Sequence, residues 1–312
     1  MPPVPPVPDF PPMLDGTLLE AIGGVYRVRP DGGKDPVDAF LRGRLKQEIR
    51  TGERLVAGDR LGITRGDDGT WTVERVSPRE SELLRAGVGG RKAKVVAANV
   101  DQALVVVSAL RPDLNEELVD RFLVLAELSE LPVLVVVNKM ELEGAGEVAS
   151  RLESRLSATG YAVLRTSALT GEGVPQLGRE LREQTSVVMG PSGVGKSSLL
   201  NAVSPGLELR TGEVSLRRGG GRHTTVSARL VPLEGGGWVV DTPGFSDVAA
   251  WEPDPAHLAW AFPEFRARRD DCRFRGCSHL HEPGCAVKSG VEAGDLDAAR
   301  YASYRRLSSP DS

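Results

Sequence analysis

VLVVVNKME (residues 133–141) and VVMGPSGVGKSS (residues 187–198) decide the reading of this chain through the order in which they come. The first is an apolar, β-branched run ending in Asn-Lys-x-acid, the pattern of a segment that reads a guanine base. The second is a phosphate-binding loop. In an ordinary GTPase the phosphate loop precedes the base-reading segment; here it follows. Both signatures are recognisable and their order is reversed, which implies a guanine-nucleotide switch with a circularly permuted core.

The phosphate loop fits its pattern in full. Gly190, Pro191, Ser192, Gly193, Val194, Gly195, Lys196, Ser197 and Ser198 follow a strand-like run (SVVM) and lead into a helical one (SSLLNAV), the context this motif requires. Its backbone N–H groups suit phosphates, Lys196 suits the outer phosphate charge, and the Ser197 hydroxyl suits Mg²⁺. About 50 residues on, Asp241-Thr242-Pro243-Gly244 ends an apolar run, WVVD. Asp241 is placed to serve the Mg²⁺ shell, and the Gly244 N–H to sense the γ-phosphate. In the base-reading segment Asn138, Lys139, Met140 and Glu141 stand in line. An acid there accepts from the guanine N1–H and exocyclic amine, for which adenine has no matching donor pair. Aspartate is usual, so Glu141 shifts the carboxylate by one methylene and could loosen guanine preference. Ser167-Ala168 (SAL, residues 167–169) fits the loop that supports the base.

Between the phosphate loop and DTPG lies GGGRHTT (residues 219–225). This glycine-rich segment suits a switch loop in which Thr224 and Thr225 close over Mg²⁺ and the γ-phosphate. Phe245 stands where many GTPases carry a water-positioning glutamine and cannot hydrogen-bond water. His223 is the candidate replacement; a plain surface-loop histidine is the competing reading.

Outward from this core, residues 1–13 are a proline-rich extended tail. Residues 14–78 read as four or five short strands (GTLLEAIGGVYRVR, FLRGRLKQE, ERLVAGDRLGITR, GTWTVERVS), which suits a five-stranded OB-type barrel; an SH3-like barrel looks much the same. A Gly- and Lys-rich connector over 79–96 opens the region 79–250. There buried strands at 102–110, 133–139 and 161–169 alternate with helices at 115–129, 145–158 and 174–183, as in a mostly parallel, doubly wound sheet. Residues 251–312 are helical and polar, with a closing helix near 294–307.

All three cysteines fall in that last region, in the spacing Cys272-x4-Cys277-x-His279-x5-Cys285. An odd cysteine count clustered this tightly disfavours a disulfide framework. Three thiolates and one imidazole make a closed Cys₃His zinc site, structural because no position is left for water; His281 competes with His279 for the fourth place.

The chain has 312 residues, 40% hydrophobic and 26% charged, with net charge −4. These values fit globular protein and exclude a simple polycation. The cations are nevertheless clustered: Arg42, Arg44, Lys46, Arg50, Arg54, Arg60 and Arg65; then Arg91, Lys92 and Lys94; then Arg266, Arg268, Arg269, Arg273 and Arg275. Local clusters decide where phosphate backbones dock. No run approaches the ~18 apolar residues of a membrane span, and the N-terminus lacks a signal-peptide pattern. A cytoplasmic protein without membrane association is expected, and nothing demands more than a monomer.

The permuted series NKxE, SAL, GPSGVGKSS, GRHTT, DTPGF, followed by FPEF (residues 262–265) and the Cys/His cluster, resembles the ribosome small-subunit-dependent GTPase A family, as do GGVYRV and AANVDQ earlier in the chain. The resemblance runs from about residue 14 to about residue 288. It implies an N-terminal OB-fold, a central permuted GTPase domain and a C-terminal zinc domain. It also implies GTP hydrolysis stimulated by the small (30S) ribosomal subunit, contact with its rRNA, and a role in late subunit maturation. By that likeness residues 138–141 and 190–198 bind GTP, the four Cys/His ligands hold zinc, and His223 compensates for Phe245. Two other readings are an RNA-binding module with a degenerate nucleotide pocket and an ATP-using P-loop enzyme. Intact Lys196, Ser197 and Asp241 argue against the first, and Asn-Lys-Met-Glu against the second.

Overall fold

A computed structural model describes residues 12–51, 54–85, 94–207, 209, 228–242 and 255–308. The N-terminal strands close on themselves. β1 (Leu14–Ile22), β2 (Val25–Pro30), β3 (Val37–Leu41), β4 (Arg60–Arg65) and β5 (Trp71–Val76) form a barrel in the order β1-β2-β3-β5-β4, with β1 also paired to β4. The β3–β5 pair is parallel and the rest antiparallel. This is the OB topology, so the barrel alternative is resolved. One expectation changes: FLRGRLKQE is not a strand throughout, because only its first residues lie in β3 and α1 (Gly43–Thr51) takes the rest. Leu45 and Ile49, four apart, face the barrel, a helical rather than alternating period. Inward-facing Leu18, Val28, Ala39, Leu61, Ile63 and Val73 are buried, each large side chain contributing about 1.5–3 kcal/mol by leaving water.

In the connector, β6 (Glu82–Arg85) pairs with β7 (Lys94–Ala98) as a two-stranded antiparallel sheet. Beyond it come β8 (Gln102–Ser108), α2 (Glu116–Leu128), β9 (Val133–Asn138), α3 (Ala145–Leu156), β10 (Ala162–Arg165), α4 (Val174–Glu180), β11 (Thr185–Met189), α5 (Lys196–Val203), β12 (Arg229–Pro232) and β13 (Trp238–Asp241). The six strands order as β10-β9-β8-β11-β13-β12, parallel except for β12. β8 and β9 are almost wholly buried Val, Leu and Ala, as strands covered on both faces require. Asn115 caps α2 through its side chain, accepting from Leu118 N at 3.0 Å. β12, an antiparallel edge strand of four residues, had no counterpart in the sequence reading; a run that short carries no period to detect.

The chain order along this sheet explains where a ligand belongs. β8, β9 and β10 build outward in one direction, and β11 and β13 in the other. The reversal falls between β8 and β11, and in such sheets ligands bind beyond the strand C-termini at that point.

The C-terminal module consists of α6 (Pro255–Leu258), α7 (Pro263–Arg266), α8 (Ala286–Glu292) and α9 (Ala298–Ser308). Phe262, Phe265, Tyr301 and Tyr304 pack together with centroids 5.1–6.4 Å apart, Phe262 stacked on Phe265 and Tyr301 on Tyr304, with Tyr304 edge-on to both phenylalanines. The FPEF sequence thus has a physical reason. Its two phenylalanines are core, its proline starts α7, and Glu264 pairs with the buried Arg300 at 2.7 and 3.0 Å. Arg300 also reaches Asp120 on α2, which in turn holds Arg155 on α3. A buried ionic chain therefore fastens this module to the sheet's helices. Among the described residues no helix is long and apolar enough to cross a membrane.

Candidate nucleotide site and metal centre

The three segments expected to meet do meet. Asn138, at the last residue of β9, donates from Nδ2 to Val194 O in the phosphate loop at 2.9 Å. Its Oδ1 accepts from Ala168 N at 3.2 Å and from the Thr166 hydroxyl at 3.4 Å. One buried amide thus joins base-reading segment, base-supporting loop and phosphate loop. Lys139 Nζ donates to Gly193 O at 2.7 Å and to the Arg111 carbonyl in the loop after β8. Met140 N donates to Thr166 O at 3.1 Å. Ser167 is fully buried, and its hydroxyl accepts from Thr170 N at 3.0 Å, shaping the loop. Glu141 is exposed at the rim, where its carboxylate faces water.

Backbone geometry makes two glycines obligatory. Gly190 has φ +142°, and a Cβ there would lie 2.0 Å from Val106 O on the adjacent β8. Gly195 has φ +91°, and its Cβ would meet Asn138 Nδ2 at 2.5 Å. Both are conformations L-residues avoid. The phosphate loop therefore fits only because nothing projects toward β8 or Asn138.

Lys196 opens α5. Its Nζ donates to Gly190 O and Pro191 O at 2.7 and 2.8 Å, curling over the loop it belongs to. Burial pushes this ammonium down to about 8, since partial desolvation disfavours the charged form. Ser197 is half-buried in the first turn of α5, with Ser198 exposed beside it; Pro191 is half-buried, Ser192 exposed and Val194 buried. Asp241 closes β13, nearly buried, and accepts from Arg229 Nε at 3.0 Å; the two are direct cross-strand neighbours. Thr166, Arg111 and Arg229 are site residues the sequence reading missed. Thr166 sits immediately before the Ser-Ala pair, the one adjacency that could have flagged it. His223, Thr224, Thr225, Gly244 and Phe245 lie outside the described residues.

A second centre lies in the C-terminal module. One donor atom each from Cys272, Cys277, His279 and Cys285 falls within 4.8 Å of every other. Cys272 Sγ and Cys285 Sγ stand 3.6 and 3.4 Å from His279 Nδ1. A tetrahedral ion with sulfur at 2.3 Å and nitrogen at 2.0–2.1 Å would set that edge at about 3.6 Å, so the donor set fits a Zn²⁺-sized ion. Burial holds His279 below its ordinary value, keeping a neutral ring nitrogen for ligation, and pushes the Cys277 thiol up to about 12 in the bare cluster. The cluster selects His279 over His281, which is outside it and exposed. The ligand loops are clamped from α9: Tyr301 OH donates to His279 O at 2.7 Å, and Tyr304 OH to Ser278 O at 2.5 Å.

A Rossmann-like sheet with a phosphate loop after β11, a base-reading segment after the earlier β9 and an OB barrel in front defines a circularly permuted P-loop GTPase. Comparison with known proteins agrees. The RsgA GTPase family matches residues 76–251. The small ribosomal subunit biogenesis GTPase RsgA of Gemmatimonas aurantiaca is 45% identical over 295 residues, covering 94% of this chain and 95% of that protein. The protein of the same name from Thermotoga neapolitana is 39% identical at the same coverage. Among solved structures, YjeQ from Thermotoga maritima superposes with a TM-score of 0.80 at 33% identity, covering 96% of this chain and 98% of that one. YloQ, described as a circularly permuted GTPase, does so at 0.73 and 28%, covering 98% and 97%. The chain belongs to the RsgA GTPase family.

Proposed function

We propose that this chain binds the small ribosomal subunit through its rRNA and assists its late maturation, hydrolysing GTP to GDP and phosphate with stimulation by the subunit. The observation that carries the reading is the Asn138 amide, which ties base-reading, base-supporting and phosphate loops into one pocket in a chain whose relatives are named for small-subunit biogenesis. The domain division follows the same lines: a tail over 1–13, the barrel over 14–78, the GTPase domain over 79–250 and the zinc-binding module over 251–312.

The residue roles follow from the chemistry. Glu141 accepts from the guanine edge, Asn138 and Lys139 brace the pocket, and Ser167 and Ala168 shape its floor. Lys196 leaves the Gly190 and Pro191 carbonyls for the outer phosphates, which restore its full charge. The Ser197 hydroxyl and Asp241 carboxylate are the groups suited to Mg²⁺, which when bound neutralises charge across the outer phosphates. Thr224, Thr225 and Gly244 serve as switch contacts, and His223 orients the attacking water in place of the glutamine that Phe245 displaces. At the second centre the four donors hold a structural Zn²⁺, with no ligand position left for chemistry. The basic clusters on the barrel and around the zinc site provide rRNA contacts. The protein acts as a cytoplasmic monomer.

GTP turnover measured with and without purified small subunits tests this. Subunits should accelerate a slow intrinsic rate, and His223→Ala should abolish the acceleration while nucleotide still binds. An unchanged rate with subunits overturns the ribosomal reading.

A further inference from the structure

Among the described residues, the C-terminal module exposes about half of two large aromatic side chains. Trp260 is 48% exposed and Phe274 44%. Both line one cavity of about 760 Å³, together with Arg269, Arg275, Cys277 and Tyr304. Guanidinium groups already lie on these rings: Arg266 at 4.7 Å and Arg269 at 5.5 Å from the Trp260 centroid, and Arg273 at 5.5 Å from that of Phe274. Asp270 is the single acid among the lining residues, 3.9 Å from Arg269.

We infer that this surface is a stacking platform for unpaired RNA bases, with Trp260 and Phe274 as the ring faces and Arg269, Arg273 and Arg275 carrying the adjoining phosphates. The inference rests on the proposed rRNA partnership and names how the module would read it. Three properties support a base over another occupant. Flat rings flanked by planar cations match a ligand that carries a π-face and an anionic backbone together. An apolar peptide would satisfy the rings and bring no counter-charge to the arginines. A duplex would satisfy the arginines and leave the rings exposed, because its bases are stacked on one another.

The platform is also rigid. Phe274 sits between the cluster residues Cys272 and Cys277, so metal binding fixes its loop. Trp260 lies between buried Leu258 and buried Ala261. Its carbonyl accepts from Arg266 Nε at 2.8 Å, and Arg266 is itself pinned to Glu127 on α2. Little backbone freedom remains to be lost on stacking.

The test uses the full-length, zinc-loaded protein and a short single-stranded oligoribonucleotide, with the same strand annealed to its complement as control. Alanine substitution of a stacking ring typically removes ~1–3 kcal/mol per base, so Trp260→Ala and Phe274→Ala should each weaken single-strand binding by about 5- to 150-fold. Trp260→Phe should retain most of the affinity. The salt dependence should stay unchanged in the ring variants and fall in Arg275→Ala. Zinc content and subunit-free GTP turnover report whether each variant is folded. Equal binding of duplex and single strand, or unaltered single-strand affinity in both ring variants, overturns the platform. So does a ring variant that loses small-subunit binding with oligonucleotide affinity intact, which would assign the surface to a protein partner. If single strands stack as described and small subunits fail to stimulate turnover, the ribosomal reading falls and the platform stands.

Discussion

Removing the Arg300 guanidinium should unfasten the C-terminal module from the GTPase core. Arg300 is 1% exposed and makes four directed contacts: Nε and Nη2 to the Glu264 carboxylate, Nη1 to Asp120 at 2.8 Å, and its plane over Phe262 at 4.7 Å. Burial alone would lower its basicity, but the charges of Glu264 and Asp120 outweigh that and hold it protonated. The described buried cluster is two cations (Arg300, Arg155) and two anions (Asp120, Glu264), so it is neutral. Arg300→Met leaves Glu264 buried with an uncompensated charge, while Asp120 keeps Arg155. Breaking a buried pair this way costs about 3–5 kcal/mol. Arg300→Met combined with Glu264→Met restores neutrality and should recover about 2 kcal/mol or more of that loss. The assay is amide hydrogen exchange along α9, which reads local opening without requiring two-state unfolding of a multidomain chain. At 1.4 kcal/mol per tenfold, the single variant should exchange about a hundred to several thousand times faster. A single variant within about 1 kcal/mol of the parent would show that aromatic packing alone holds the module. A double variant no better than the single would refute the charge argument.

Nucleotide binding should be coupled to proton uptake above neutral pH. Lys196 is depressed to about 8 in the nucleotide-free pocket and rises toward its ordinary value beside phosphates. Affinity should therefore be constant below that pH and fall by up to tenfold per unit as pH climbs through and beyond it, with a buffer-dependent calorimetric heat at pH 8.5 and little at pH 6.5. Gly195→Ala should weaken GTP binding by at least about tenfold in a fluorescent-nucleotide titration, because its Cβ strikes Asn138 Nδ2 at 2.5 Å at a φ of +91°; unchanged affinity would mean the Asn138 tether is dispensable. Chelation of zinc, or Cys285→Ser, should melt the C-terminal module and leave the sheet folded, read as loss of α9 protection with β8 and β9 protection retained. Acid should release the metal as thiolates and imidazole take up protons.

The nucleotide pocket was legible because its chemistry is written in contiguous residues. A loop of nine positions and a four-residue segment each carry their roles locally, and the apolar strand leading into each sets its place at the sheet's C-terminal edge. The four donors of the Cys/His cluster were legible for the same reason. What escaped was determined across the fold. Arg229 meets Asp241 only because an antiparallel edge strand sets the two opposite, and nothing in ARLVP announces that strand. Arg111 enters the site through its backbone carbonyl, an atom every residue has. In the barrel, FLRGRLKQE read as strand because isolated leucines match either period, and the closed barrel chose the helix by offering Leu45 and Ile49 an apolar surface.

The permutation has a mechanical consequence that motif order alone does not convey. Leaving β13, the chain passes from the DTPG segment into the C-terminal module, which suggests a module hung from the switch. The packing puts its anchor elsewhere: Asp120 and Glu127 on α2 hold Arg300 and Arg266, and Phe262 and Phe265 belong to an apolar cluster that includes Val124 of α2. The loop entering α2 contains Arg111, whose carbonyl receives Lys139 of the base-reading segment. The module is thus tied to the nucleotide pocket twice, covalently through residues 242–255 and by packing through α2. Any nucleotide-driven movement of the module against the sheet must either carry α2 with it or pull apart the buried Arg300–Asp120 pair and expose the apolar surface packed on α2. A rearrangement that moves α2 and the module as one body avoids that cost, which makes the β8–α2 loop, and not only the DTPG segment, the place where bound nucleotide would be felt.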